Sequence, residues 1–142
     1  MDNGQLKENV LNDKSYKFAL RIVHLYKHLT TEAKEYILSK QILRSGTSIG
    51  VNITEANQGL SKPDFVHKLA IALKEAVETE YWICLLRDGT FITAVQAESL
   101  LVDCKELIRI LTGLDQNCKK QKSKIKLVSI VHCPLYINAC LI

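Results

Sequence analysis

"SKPDFVHKLAIALKEAVETEYW", Ser61 to Trp82, decides how this chain folds. Wound at helical pitch, Phe65, Leu69, Ala72, Leu73, Ala76 and Ile83 gather in a stripe about 100° wide, the face an amphipathic helix turns to a core. Ser61 is a good N-cap, and Asp64 at N3 stands where the positive end of the helix dipole favours a carboxylate. Pro63 is tolerable in that first turn, where its missing N–H has no partner to lose. Two residues sit against the pattern. Glu80 falls inside the apolar stripe, and Trp82 falls on the polar side with Ile71 and Leu85, among His67, Lys74 and Glu78.

Upstream, a second helix is expected over roughly Glu32 to Gln58, with Leu38, Ile42, Ile49 and Ile53 on one face and Gly59 as its stop. Gly46 and Gly50 lie beside that face at i,i+4. Each costs about 1 kcal/mol against alanine in a helix, so two on one side imply a neighbouring backbone close by. A polar stripe of Gln41, Arg44, Ser45, Ser48, Asn52 and Glu55 runs along the same helix. Serine and asparagine are mediocre helix formers, and a purely solvated face more often carries Lys and Glu. The stripe is therefore expected to be partly enclosed, with Arg44 and Asn52 satisfying Glu80 or Glu55 in a buried polar network, since a buried unpaired carboxylate is too costly to keep. The alternative is an exposed polar face with Glu80 reaching outward. For the other side of the third helix, Ile71, Trp82 and Leu85 among Lys74 and Glu78 suggest a surface meant to be covered by another chain, with Gln41, Ser45 and Ser48 in the same contact. A broad bundle core reaching round the helix is the competing account.

A first helix is expected from about Asp13 to His28 on the spacing of Phe18, Ile22, Leu25 and Leu29, with Thr30 or Thr31 capping the next. "RDGT" supplies the turn after Arg87, and a fourth helix runs from about Ala94 to Thr112 or beyond on Leu100, Cys104, Leu107, Ile108 and Leu111. Short connections make neighbours antiparallel. The expected fold is all-α, an up-down-up-down antiparallel four-helix bundle over residues 1–118, followed by a basic then apolar C-terminal tail over 119–142.

The 142 residues suffice for one domain with a real core, and the hydrophobic content of 47% is ordinary for a globular chain. The net charge of +4 is concentrated in Lys119, Lys120, Lys122, Lys124 and Lys126; without those five lysines the chain holds fourteen basic and fifteen acidic residues. Such a tail lends sequence-independent affinity for phosphate backbones, or else only solubilises the end of the last helix. The five cysteines are odd in number, far apart and without a C-x-x-C pair, which fits reduced thiols in a cytoplasmic protein. No signal peptide or membrane span is expected.

The runs "QILRSGTSIGVNITEA", "SKPDFVHKL" and "ALKEAVETEYW" together resemble the four helix bundle protein family, also known as the 23S rRNA intervening-sequence proteins, over about residues 10 to 118. That family includes the accessory variability determinant proteins of bacterial diversity-generating retroelements. The resemblance implies a four-helix protomer assembling into a ring-like homopentamer. In the retroelement members a positively charged surface binds nucleic acid and a reverse transcriptase. It would also put Trp82 and the polar stripe of the second helix at or near subunit contacts. One departure is Glu55-Ala56, where many members have Glu-Gly. The bundle of this chain also lacks the basic surface expected of retroelement members.

No phosphate-binding loop or nucleophile elbow occurs, and the Glu-x-x-His pairs of di-iron bundles are missing, so neither catalysis nor a cofactor or metal is expected. His24 and His28 share a helix face without an acidic or cysteine companion and read as surface residues. Core positions are filled, so no small-molecule substrate is expected. The resulting expectation is a non-enzymatic oligomeric scaffold binding RNA or DNA, or a nucleic-acid enzyme; a self-assembling interaction module without nucleic acid is the alternative.

Overall fold

A computed structural model of the chain describes residues 3–123, with the side chains of residues 10–118 and 120. Four helices follow one another: α1 Asn3–Thr31, α2 Leu38–Asn57, α3 Lys62–Asp88 and α4 Ala94–Ser123. Each packs on its neighbours in sequence, and α1 meets α4 to close the bundle. The expected all-α, up-down-up-down bundle is what forms. The apolar tail segment lies outside the described residues.

Burial drives the assembly. Phe18, Ile22 and Leu29 of α1, Ile42, Ile49 and Ile53 of α2, Ile83 and Leu86 of α3, and Leu107 and Leu111 of α4 are all withdrawn from water. Each such side chain contributes roughly 1.5–3 kcal/mol relative to exposure. The two helix-2 glycines behave differently. A Cβ on Gly46 would stand 2.8 Å from Ile22 Cγ1 and 2.9 Å from Ile22 Cγ2, so α1 and α2 touch there only because the residue has no side chain. At Gly50 the nearest atom would be Ser15 Oγ at 3.6 Å, an ordinary contact.

α1 begins at Asn3, ten residues before the expected start, and three further boundaries differ for local reasons. α1 continues through Thr31, because the hydroxyls of Thr30 and Thr31 bond back to the Tyr26 and Lys27 carbonyls instead of capping α2. α2 starts at Leu38, and its cap is Glu35. One carboxylate oxygen accepts from the N–H groups of Ile37 at 2.9 Å and Leu38 at 2.8 Å, the other from Ser39 at 2.6 Å. Burial alone would push the Glu35 carboxyl up, but those backbone donors outweigh it and hold the group below its ordinary value. α4 runs through Lys119 to Ser123, past the expected end of the bundle.

Ser61 caps α3 as read, its hydroxyl accepting from Asp64 N–H at 3.3 Å. At the far end, Thr90 N–H bonds Arg87 C=O at 3.0 Å and Phe91 N–H bonds Leu86 C=O at 2.9 Å. That is the double closure of a Schellman turn, and its left-handed residue is Thr90 (φ 64°), not the adjacent Gly89 (φ −77°).

Candidate interaction surface

α3 buries Leu69, Ala72, Ala76, Thr79, Ile83 and Leu86. The true core face is therefore centred a few tens of degrees from the stripe that Leu73 and Phe65 suggest, and it includes a threonine. Thr79 tolerates burial because its Oγ1 lies 2.7 Å from the Glu75 carbonyl and 2.9 Å from Ser45 Oγ across the α2–α3 seam. With both hydroxyls partnered, the pair substitutes for an apolar contact at little cost.

This rotation places Glu80 on the shoulder of α3 facing α4. Its partner is Lys105 at 3.9 Å, with the Glu80 side chain about one-third exposed. The expected buried network of Arg44, Asn52, Glu55 and Glu80 does not form within the chain. Arg44 is exposed and pairs with neither glutamate. Asn52 donates to the Ser48 carbonyl of its own helix at 2.8 Å. Glu55 pairs with Lys68 of α3, a hydrogen bond that raises the Lys68 ammonium above its ordinary pKa. The physical reason is register. Ser45 opposite Thr79 and Glu55 opposite Lys68 put the polar stripe of α2 against the Lys68–Thr79 flank of α3, away from Glu80.

Of the residues expected at a subunit contact, Gln41, Lys74 and Leu85 are exposed, and Ser48, Ile71, Glu78 and Trp82 are half-buried. Ser45 is wholly buried between α2 and α3 and cannot meet another chain. Trp82 rests its ring on the core; its indole N–H donates to Glu78 Oε1 at 3.2 Å, and the rings of Trp82 and Tyr81 meet edge to face at a centroid separation of 5.2 Å. The outward face beside it carries Val77, Tyr81 and Leu85 at i, i+4 and i+8, exposed by 51%, 60% and 37%. Val77 and Tyr81 escaped the sequence reading, although four-residue steps back from Leu85 would have found them.

A further group went unread. Glu75 Oε2 is buried and accepts no hydrogen bond. Glu75 is one turn before Thr79, the residue whose hydroxyl meets Ser45 of α2.

The opposite seam is of another kind. Between α1 and α4, Lys14 meets Glu106 at 3.1 Å, and Arg21 pairs with Asp103 while donating to Ser99 Oγ at 2.7 Å. His24 and His28 are exposed there, along a cleft shared with Arg21, Gln96 and Ser99. Among the described residues no three His, Cys, Asp or Glu side chains converge as a metal site would require, and no helix is long and apolar enough to cross a membrane. Cys84, Cys104 and Cys118 are free; burial pushes the Cys104 thiol up to about 12. Of the basic tail, Lys119, Lys120 and Lys122 fall on the last turns of α4, and Lys120 is exposed. Lys124 and Lys126 lie outside the described residues.

Residues 7–113 match the sequence profile of the 23S rRNA-intervening sequence proteins. The chain belongs to that family. A crystal structure of a protein of unknown function from the S23 ribosomal protein family of Bacteroides thetaiotaomicron is similar in both sequence and fold. It shares 55% identity and a TM-score of 0.76, over 78% of this chain and 98% of the other. No curated protein sequence matches this chain. The family match ends before the basic run of α4, so this intervening-sequence family member carries its lysines and apolar tail outside the shared bundle.

Proposed function

We propose that this protein is a non-enzymatic scaffold whose copies assemble through the outer face of α3 and the adjoining α2 edge, and whose assembled form binds nucleic acid or an enzyme acting on it, such as a reverse transcriptase. The observation that carries the assembly is the exposed row Val77, Tyr81 and Leu85 beside Trp82. Three large apolar side chains on one helix face, with an aromatic pair at their centre, have the composition of an interface anchor. Arg44 has no anion and Glu75 Oε2 no donor within the chain, and a second chain could supply both. A ring of five is the count that the family resemblance implies.

Native mass spectrometry tests the assembly directly. The unmodified chain is expected as a closed oligomer at micromolar concentration. Tyr81→Glu should weaken association at least tenfold while leaving helical circular dichroism unchanged, because Tyr81 is mostly exposed within the protomer. An unmodified chain that stays monomeric would remove the assembly.

The nucleic-acid half rests on the basic run Lys119–Lys126, which assembly would multiply. If three of these lysines in all touch phosphate, DNA affinity should fall about 40-fold between about 50 and 200 mM salt, and more steeply as further chains of the assembly engage. Filter binding of RNA and DNA at those concentrations checks this, with Lys119, Lys120 and Lys122 changed to Gln as the comparison. Binding insensitive to salt and to those changes would refute it. A second reading, an interaction module with no nucleic-acid role, is favoured by the bundle itself. Its fourteen basic and fifteen acidic residues balance, and Lys14, Arg21 and Lys68 are each already paired with a carboxylate.

A further inference from the structure

A row such as Val77, Tyr81 and Leu85 can be covered in two ways. An isologous contact sets it against its own copy across a two-fold axis, whereas a head-to-tail contact needs a different surface on the same protomer. Such a surface exists. Between the first half of α1 and the second half of α2 runs an open groove of about 740 Å³, walled by Tyr16, Thr47, Val51 and Thr54. Tyr16 is 72% exposed and Val51 54%, and Leu20, one turn beyond Tyr16, is exposed as well. Groove and row are similar in length: Val77 to Leu85 rises about 12 Å along α3, and Thr47 to Thr54 about 11 Å along α2.

Charge fits the row to this groove. Asp13 and Glu55 are the charged residues in its lining. Each already meets one lysine, Lys17 and Lys68, yet the two side chains stay 60% and 49% exposed, open to a further cation. The α3 face carries one. At helical pitch Lys74 lies within about 60° of Val77, Tyr81 and Leu85, and it is exposed. The acids of that face are engaged, Glu78 with the Trp82 indole and Asp88 with Arg87, whereas Lys74 has no partner among the described residues. The α1–α4 cleft is no alternative, because Arg21, His24 and His28 line it without a carboxylate. Nor does self-pairing serve Lys74. Across a two-fold axis through Tyr81 it would face Asp88, whose two oxygens Arg87 already takes.

We propose that the α3 row of one copy seats in the α1–α2 groove of the next, with Lys74 toward Asp13 and Glu55, so that copies join head to tail. This rests on the assembly through α3 proposed above and names the second surface it uses. Each copy presents both surfaces at once. α1 and α3 each pack on α2 and α4 but not on one another, which puts them at opposite corners of the bundle. The row points out from the α3 corner and the groove opens beside α1, so a copy seats its row in one neighbour while a second neighbour fills its groove. Such a contact repeats from copy to copy and makes a ring where the turn per copy closes.

Native mass spectrometry of two blocked variants tests this. Tyr81→Glu spoils the row and Val51→Glu the groove, and both positions are mostly exposed, so circular dichroism should match that of the unmodified chain. Each variant alone should associate at least tenfold more weakly than the unmodified chain. An equal mixture should restore one contact, the intact row of one variant in the intact groove of the other. It should give at least tenfold more dimer than either variant alone, as a one-to-one heterodimer. Tyr16→Glu in place of Val51→Glu should complement Tyr81→Glu in the same way. Undiminished assembly of both groove variants, or a mixture without excess dimer, would overturn the head-to-tail contact; with Tyr81→Glu still monomeric, assembly through α3 would stand. An unmodified chain that stays monomeric would overturn both.

Discussion

Gly46→Val is expected to destabilise the fold by about 3 kcal/mol, a fall in melting temperature on the order of 10 °C. The cause is steric. A Cβ at this position already falls 2.8 Å from Ile22 Cγ1, and Ile22 is fully buried, with both γ carbons held close to its backbone by the branch at Cβ. Valine adds two more carbons to that contact, and the relief of glycine's helix penalty, under about 1 kcal/mol, cannot offset it. Gly46→Ala should cost less, about 1–2 kcal/mol. Combined with Ile22→Ala it should cost at least about 1 kcal/mol less than the sum of the two single changes, because the clash disappears with the γ carbons. Gly50→Ala should be neutral or stabilising by up to about 1 kcal/mol, as the added Cβ meets Ser15 at 3.6 Å. Chemical denaturation of these variants, with Ile22→Ala alone among them, measures all of this. Equal costs at positions 46 and 50 would show that close helix approach is not what Gly46 provides.

Glu35→Ala is expected to cost about 2 kcal/mol, at the upper end for a helix cap, since one carboxylate serves the backbone N–H groups of Ile37, Leu38 and Ser39 at the start of α2. Glu35→Gln keeps acceptors without the charge and should lose about half as much. The pH dependence follows from the direction of the shift. The folded carboxyl sits below its ordinary value, so the stabilisation is fully present above the unfolded glutamate pKa, about 4.3. It is lost as the pH falls through the lowered folded value. Denaturation curves of the parent and Glu35→Gln should therefore differ at pH 7 and converge in acid. A stability difference unchanged from pH 7 to strong acid would mean that the cap acts without its charge.

These cases mark the limit of legibility. Gly46 was readable because two glycines on one helix face are costly wherever the chain goes. Ser61 was readable because its hydroxyl acts three residues away, on Asp64 N–H. Glu35 was not. Its capping depends on Lys34 entering the left-handed region (φ 53°), which turns the chain so that the carboxylate meets the N–H groups ahead of it. A threonine pair just upstream offered a more obvious cap by residue type, yet those hydroxyls bond their own helix.

By itself the sequence determined what depends on spacing along one helix: four helices, their order, the apolar faces and the resemblance to the intervening-sequence family. Only the tertiary structure decided which neighbour each flank meets. The burial of Thr79 against Ser45 turns α3 by a few tens of degrees, sends Glu80 to Lys105 instead of Arg44, leaves one oxygen of the half-buried Glu75 without a donor, and brings Val77 and Tyr81 to the surface. Helical pitch fixes angles within one helix, whereas pairings across a seam depend on the axial offset between two helices. That offset is set by how side chains such as Ile22 and Gly46 fit together.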